Sequence, residues 1–185
     1  MCDHQSTDIS RRGFAGLAAL GVAIGLLPQQ ASAEDEPPGD TLCLMCIDHR
    51  YTPYAITFFD EHAGVKNYDL VSLAGASLAA RPTTNFRNTY LGLWEQVDFA
   101  QKPPDAGAQL LHPSITKVLV LDHMNCGAYK AQFGKDITRD QERMYHSQVA
   151  ESVGPAFAAR GLETHIWLLD DISKEPERIW PLFKK

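Results

Sequence analysis

Two short segments carry side chains that can do chemistry together. The first is Cys46-Ile47-Asp48-His49-Arg50 and the second is His123-Met124-Asn125-Cys126-Gly127. Two thiolates and one imidazole suit zinc, which takes soft sulfur and borderline nitrogen in a tetrahedral shell. Cys46, His123 and Cys126 would then be the ligands. Three protein ligands leave a fourth position open, the arrangement of a catalytic site. His123 and Cys126 lie three apart, so one turn leaving a strand can aim both at one point. Gly127 would let the backbone approach closely there.

Asp48 and Arg50 supply the next layer. In an extended stretch, residues two apart point the same way. Arg50 can therefore grip the Asp48 carboxylate through two parallel hydrogen bonds. So held, Asp48 stays ionised and can accept a proton from zinc-bound water, whose pKa the metal lowers to about 7. The cysteine count leaves options open. With Cys2 in a leader that is removed, Cys43, Cys46 and Cys126 remain. That odd number permits one disulfide plus a free thiol, or thiolates on a metal. Cys43, in the CxxC with Cys46, reads as a small buried apolar residue, a fourth zinc ligand or half of a redox dithiol.

The elements that must position these residues are legible from hydropathy. Apolar runs of strand length lie at Thr41–Ile47, Tyr68–Ala74, Lys117–Leu121 and Thr164–Leu169. Such continuous runs are typical of buried parallel strands. Helical patterns lie at Tyr54–His62, from Thr84 or Asn85 to about Lys102, and at Gln141–Arg160, which Gly161 ends. In the middle one, Phe86, Tyr90, Leu93, Trp94 and Val97 form a single face. The tail from Pro176 to Lys185 reads as a short helix. Strands alternating with helices predict an α/β fold with a mainly parallel β-sheet flanked by helices. Both reactive segments sit just past predicted strands, where parallel sheets place their ligand sites.

The front of the chain reads as something else. Ser10-Arg11-Arg12-Gly13-Phe14 precedes an apolar run, Ala15 to Leu27, that ends near Ala31-Ser32-Ala33. This is the pattern of a twin-arginine export signal with a small-residue cleavage site. The apolar run is too short to span a bilayer, which takes about 20 residues. The expected organisation is a signal peptide over 1–33, an acidic, proline-rich leader over 34–40 and one domain over 41–185. A periplasmic or otherwise exported location follows, with no stable membrane span in the mature form. The chain has 17 Lys and Arg against 23 Asp and Glu, a net charge of −6. That argues against nucleic acid, which calls for basic patches.

CxDxR followed downstream by HxxCG resembles the β-class carbonic anhydrases, over roughly residues 41–170. The resemblance implies zinc on Cys46, His123 and Cys126, with Asp48 and Arg50 as a dyad gating the fourth position. It also implies hydration of carbon dioxide to bicarbonate by zinc-bound hydroxide, and a homodimer. The chain departs from the family pattern in three places. Only about seven residues stand where a helical arm precedes the first strand. No Gln occurs between Glu34 and Glu95. The turn Leu73-Ala74-Gly75-Ala76-Ser77 lacks the usual Arg-Asn pair. A non-catalytic zinc protein and a hydrolase of carbonyl sulfide or carbon disulfide are the alternative readings. A thiol oxidoreductase is a third. Tyr51 and Tyr129 flank the motifs as candidate pocket walls, and His146 is a candidate proton shuttle. His49, His62, His112 and His165 read as surface or satisfied core residues.

Overall fold

The computed structural model describes residues 39–65, 67–82, 85–101 and 115–181. The expected signal peptide, most of the leader and His112 lie outside the described residues. The strands are β1 (Thr41–Met45), β2 (Tyr68–Ser72), β3 (Lys117–His123), β4 (Glu163–Leu169) and β5 (Glu177–Trp180). The helices are α1 (Thr52–Thr57), α2 (Arg87–Gln101), α3 (Gly127–Phe133) and α4 (Arg139–Ala158). A π-helical turn, Phe58–His62, extends α1, and a 3₁₀ turn spans Ala76–Ala80.

The sheet order is β2-β1-β3-β4-β5, with the first three pairings parallel and β4–β5 antiparallel. This is the expected α/β architecture. From β1 the chain first moves outward to β2, then returns to lay β3 on the other side of β1. The order therefore reverses between β1 and β3, and a crevice opens beyond their carboxyl ends. Cys46 follows the Met45–Leu121 rung by one residue and His123 follows it by two. The topology thus brings the two reactive segments to one place.

Strand alternation divides the core between the two faces of the sheet. On one face Leu42, Leu44, Val118, Val120, Ile166 and Leu168 pack with Leu93, Trp94 and Val97 of α2 and Val149, Val153 and Phe157 of α4. On the other, Cys43, Met45, Leu119, Leu121 and Leu169 pack with Ala55, Phe58 and Phe59. All five residues of β1 are buried, so both of its faces are covered. The stripe on α2 is core, as its spacing predicts. Among the described residues, no helix is long and apolar enough to cross a membrane.

Element ends shift by a few residues from the sequence reading, and three departures have a clear physical cause. β3 runs on to His123, because backbone pairing with β4 continues to the His123–Leu169 rung. α4 begins at Arg139 rather than Gln141, since Thr138 and Gln141 form a reciprocal capping box. Its far end closes as predicted: Gly161 takes φ +78° and the Leu162 N–H returns to the Phe157 carbonyl. The tail expected as a helix from Pro176 is instead strand β5 through Trp180, while 182–185 lie outside the described residues. The open edge of β4 offers unpaired backbone groups, and pairing with them outweighs the weak helical pattern of this stretch.

β5 is also held by packing. A Cβ at Gly154 of α4 would come within 2.1 Å of Trp180 Nε1, so the indole occupies the space a side chain would need. Gly154→Ala should displace the ring and cost about 1–3 kcal/mol. Thermal melts should show a Tm lower by about 2–4 °C per kcal/mol. An unchanged Tm would show that Trp180 is not seated there.

Candidate metal centre

β1 ends at Met45, and the chain turns directly beyond Cys46. The Tyr51 N–H donates to the Asp48 carbonyl at 3.0 Å, and α1 begins at Thr52 with proline in its first turn. Across the crevice, β3 ends at His123 and Asn125 takes φ +61°, a left-handed conformation that asparagine tolerates. This bend returns Cys126 to the head of α3. Cys46, His123 and Cys126 are all buried, and their donor atoms lie within 4.8 Å of one another.

The details fit a metal ion. The Cys46 and Cys126 sulfurs are 3.9 Å apart, and both thiols are free. Two sulfurs bound at 2.3 Å on one tetrahedral ion would stand about 3.8 Å apart. His123 Nδ1 lies 3.0 Å from the Met124 carbonyl, to which it donates. That fixes the tautomer and leaves the Nε2 lone pair available, as in metal-bound histidines. His123 Nε2 is buried without a hydrogen-bond partner. Tyr51 stacks on the ring at 4.0 Å between centroids and donates its hydroxyl to the Met124 carbonyl at 3.3 Å.

The three groups bias one another's protonation. Hydrogen bonding to Cys126 holds the Cys46 thiol well below its ordinary pKa, aided by His123 and the Gly75 amide and opposed by burial. The same contact, together with burial, pushes Cys126 well above it. Burial favours the neutral His123 ring, but the closeness and charge of Cys46 outweigh it and raise the pKa. A cation would displace these protons and take over their role.

Asp48 and Arg50 meet as predicted, but through different local geometry. They lie on the turn after β1 rather than in an extended stretch. Arg50 Nε donates to Asp48 Oδ1 at 2.9 Å, Nη2 donates to Oδ2 at 2.5 Å, and the Arg50 backbone N–H reaches Oδ1 at 3.1 Å. The hydrogen bond from Arg50 lowers the Asp48 pKa to about 2. Arg50 Nη2 also donates to the Asn125 carbonyl at 3.4 Å, tying the two motifs together. A cavity of about 370 Å³ opens beside them, lined by Arg50, Tyr51, Met124, Asn125, Arg139 and residues 170–172.

Cys43 is not part of the cluster. It points to the opposite face of the sheet, against Phe58 and Phe59, and burial raises its pKa. It is the small apolar residue of the sequence reading, not a fourth ligand. No disulfide joins the three cysteines, which corrects the option of a pair plus one free thiol. His146 is fully buried, so it lacks the solvent access a proton shuttle needs. Tyr51 lines the cavity, whereas Tyr129 is sealed in the core. His165 pairs with Glu163 at 2.6 Å.

The sequence reading missed the residues around the ligands. Gly75, at φ +81°, donates its N–H to Cys46 Sγ at 3.4 Å. Glu142 Oε1 accepts the Cys126 N–H at 2.7 Å. Asp122 accepts hydrogen bonds from Ser77 and His146. Asp122 carries a readable signal, a carboxylate inside an otherwise apolar strand. Glu142 and His146 carry only their four-residue spacing.

No protein-family model matches the chain. An uncharacterized protein of Rickettsia conorii is 31% identical over 113 residues, which cover 59% of this chain and 54% of that one. One from Rickettsia bellii is 28% identical over 113 residues, 62% of its own length. The match thus spans little more than half of these relatives. Among solved structures, the β-carbonic anhydrase CafA of Aspergillus fumigatus aligns with TM-score 0.46 at 14% identity, covering 76% of this chain and 74% of that one. The carbonic anhydrase of Glaciozyma antarctica aligns with TM-score 0.41 at 16% identity, covering 94% and 96%. A tetrameric β-carbonic anhydrase of Sordaria macrospora aligns with TM-score 0.42 at 15% identity, covering 91% and 92%.

Elemental analysis of the purified protein should find about one divalent metal ion per chain. Cys126→Ser should lose it to a competing chelator while the far-ultraviolet dichroism is retained. Equal retention by both proteins would remove the metal assignment.

Proposed function

We propose that this chain hydrates carbon dioxide to bicarbonate, using a zinc ion held by Cys46, His123 and Cys126. The observation that carries the reading is the convergence of two close sulfurs and an unpartnered imidazole nitrogen beside an arginine-locked carboxylate. Zinc at this donor set would supply a Lewis acid that makes water a nucleophile near neutral pH. The pairing of CxDxR with HxxCG supports the same choice of substrate.

The chain's own residues do the rest. Arg50 holds Asp48 in one orientation and keeps it ionised. Asp48 then serves as an acceptor for the hydrogen of the attacking water and turns its lone pair toward the carbon. The Arg50 bond to the Asn125 carbonyl fixes the dyad relative to the loop that bears Cys126. Tyr51 packs against the His123 ring and limits its rotation. Carbon dioxide and water yield bicarbonate and a proton, which passes to buffer. The reading includes export through the twin-arginine signal over 1–33 and a homodimer.

Stopped-flow carbon dioxide hydration on the zinc-loaded protein tests this. Asp48→Ala should lower the rate by about 10²–10⁴-fold, the range of a positioned proton acceptor. Arg50→Lys, which cannot form the two-point grip, should lower it by less. If the parent chain is no faster than Asp48→Ala, the protein is a zinc binder without this activity. Turnover of carbonyl sulfide or carbon disulfide in place of carbon dioxide would reassign the substrate.

A further inference from the structure

α4 brings two buried polar side chains, Glu142 and His146, to the rear of the metal centre. They stand four residues apart and so share one face of the helix. Glu142 is 4% exposed and His146 is fully buried. Burying such groups is costly unless each has a specific partner. The partners here lead to the two cysteines by separate routes.

The Glu142 route is short. Its Oε1 accepts the backbone N–H of Cys126 at 2.7 Å. Cys126 is the residue ahead of α3, in extended conformation at φ −80° and ψ 124°. Its amide orientation sets where the Cα–Cβ bond, and hence the sulfur, is aimed. The His146 route is longer. His146 Nδ1 lies 3.1 Å from Asp122 Oδ2, and the ring stacks on Tyr129 at 3.6 Å between centroids. Asp122 Oδ1 accepts the Ser77 N–H at 2.9 Å, and Oδ2 accepts the Ser77 hydroxyl. Tyr129 lies 2.9 Å from that hydroxyl. These bonds clamp the 3₁₀ turn against β3. Gly75, at the start of that turn, donates its N–H to Cys46 Sγ. Asp122 also directly precedes His123.

We infer that Glu142 and His146 are positioning residues for the metal centre, Glu142 acting through the Cys126 amide and His146 through Asp122 and the Gly75 turn on Cys46. The inference rests on the metal reading and deepens it. One rigid helix thereby sets the separation of the two sulfurs, one just past β1 and the other at the head of α3. Preset donors lose less freedom when the ion enters, so the predicted consequence is affinity and ligand geometry.

Competitive zinc titration of the full chain, with cobalt(II) absorption as a second probe, tests it. The parent chain should bind both ions. Glu142→Ala should weaken zinc binding by about 10–100-fold, the usual effect of removing a partner that orients a ligand. Its cobalt bands should shift, reporting altered ligand geometry in a folded protein. Glu142→Gln retains an acceptor oxygen and should restore most of the affinity. His146→Leu should act in the same direction but less. His146→Asn, whose amide nitrogen can replace Nδ1, should rescue it. Should Glu142→Ala fail to fold, Glu142→Asp withdraws the acceptor by one methylene and is read the same way. Variants with lowered Tm but parental affinity and cobalt spectrum would overturn the inference alone, leaving a purely structural role. A parent chain that binds neither ion would overturn the metal reading and this inference with it.

Discussion

Two thiols and an imidazole lie together in the interior with too few partners of their own. The sulfurs of Cys46 and Cys126 are 3.9 Å apart with no disulfide between them, and His123 Nε2 is buried without a partner. Burying a polar nitrogen in this way costs roughly 1–3 kcal/mol, and close sulfurs compete for the same proton. A single cation would satisfy all three groups at once. The surroundings are consistent with such a demand. The Gly75 amide faces one sulfur, the Met124 carbonyl fixes the imidazole tautomer, and Glu142 holds the Cys126 backbone.

The sheet makes the cluster possible. Ligands from residues 46 and 123 meet because β1 and β3 are parallel neighbours whose carboxyl ends share one edge. The reversal of strand order between them leaves the crevice unroofed by a direct β–α connection. Residues on alternate sides of the strands then approach the site from both faces. His123 rests on Tyr51 ahead of α1, while the sulfurs sit at the border of the core formed with α2, α3 and α4. A carboxylate locked by arginine at the rim and two buried polar residues behind give the centre a wet side and a dry side.

In the tail, where sequence reading and structure differ most, the physical cause is long-range pairing. The ERIW stretch of β5 has no strong intrinsic preference, and the unpaired edge of β4 decides its form. The Asp48–Arg50 grip was legible from residue types alone, but a turn brings it about rather than strand alternation. The role of Asp122 could be suspected from a carboxylate in an apolar strand. Its partners could not, since Ser77 and His146 come from elements far apart in the chain.

The sequence by itself determined the donor set, the buried parallel strands and the helix stripe. Those depend on local chemistry and on periodicity, which a linear string displays. Folding in three dimensions decided that Cys43 faces away from Cys46, that the two sulfurs come within 3.9 Å, and that α4 brings Glu142 to the Cys126 amide and His146 to Asp122. Strand alternation separates residues three apart onto opposite faces, and only the packed sheet shows which face holds the site.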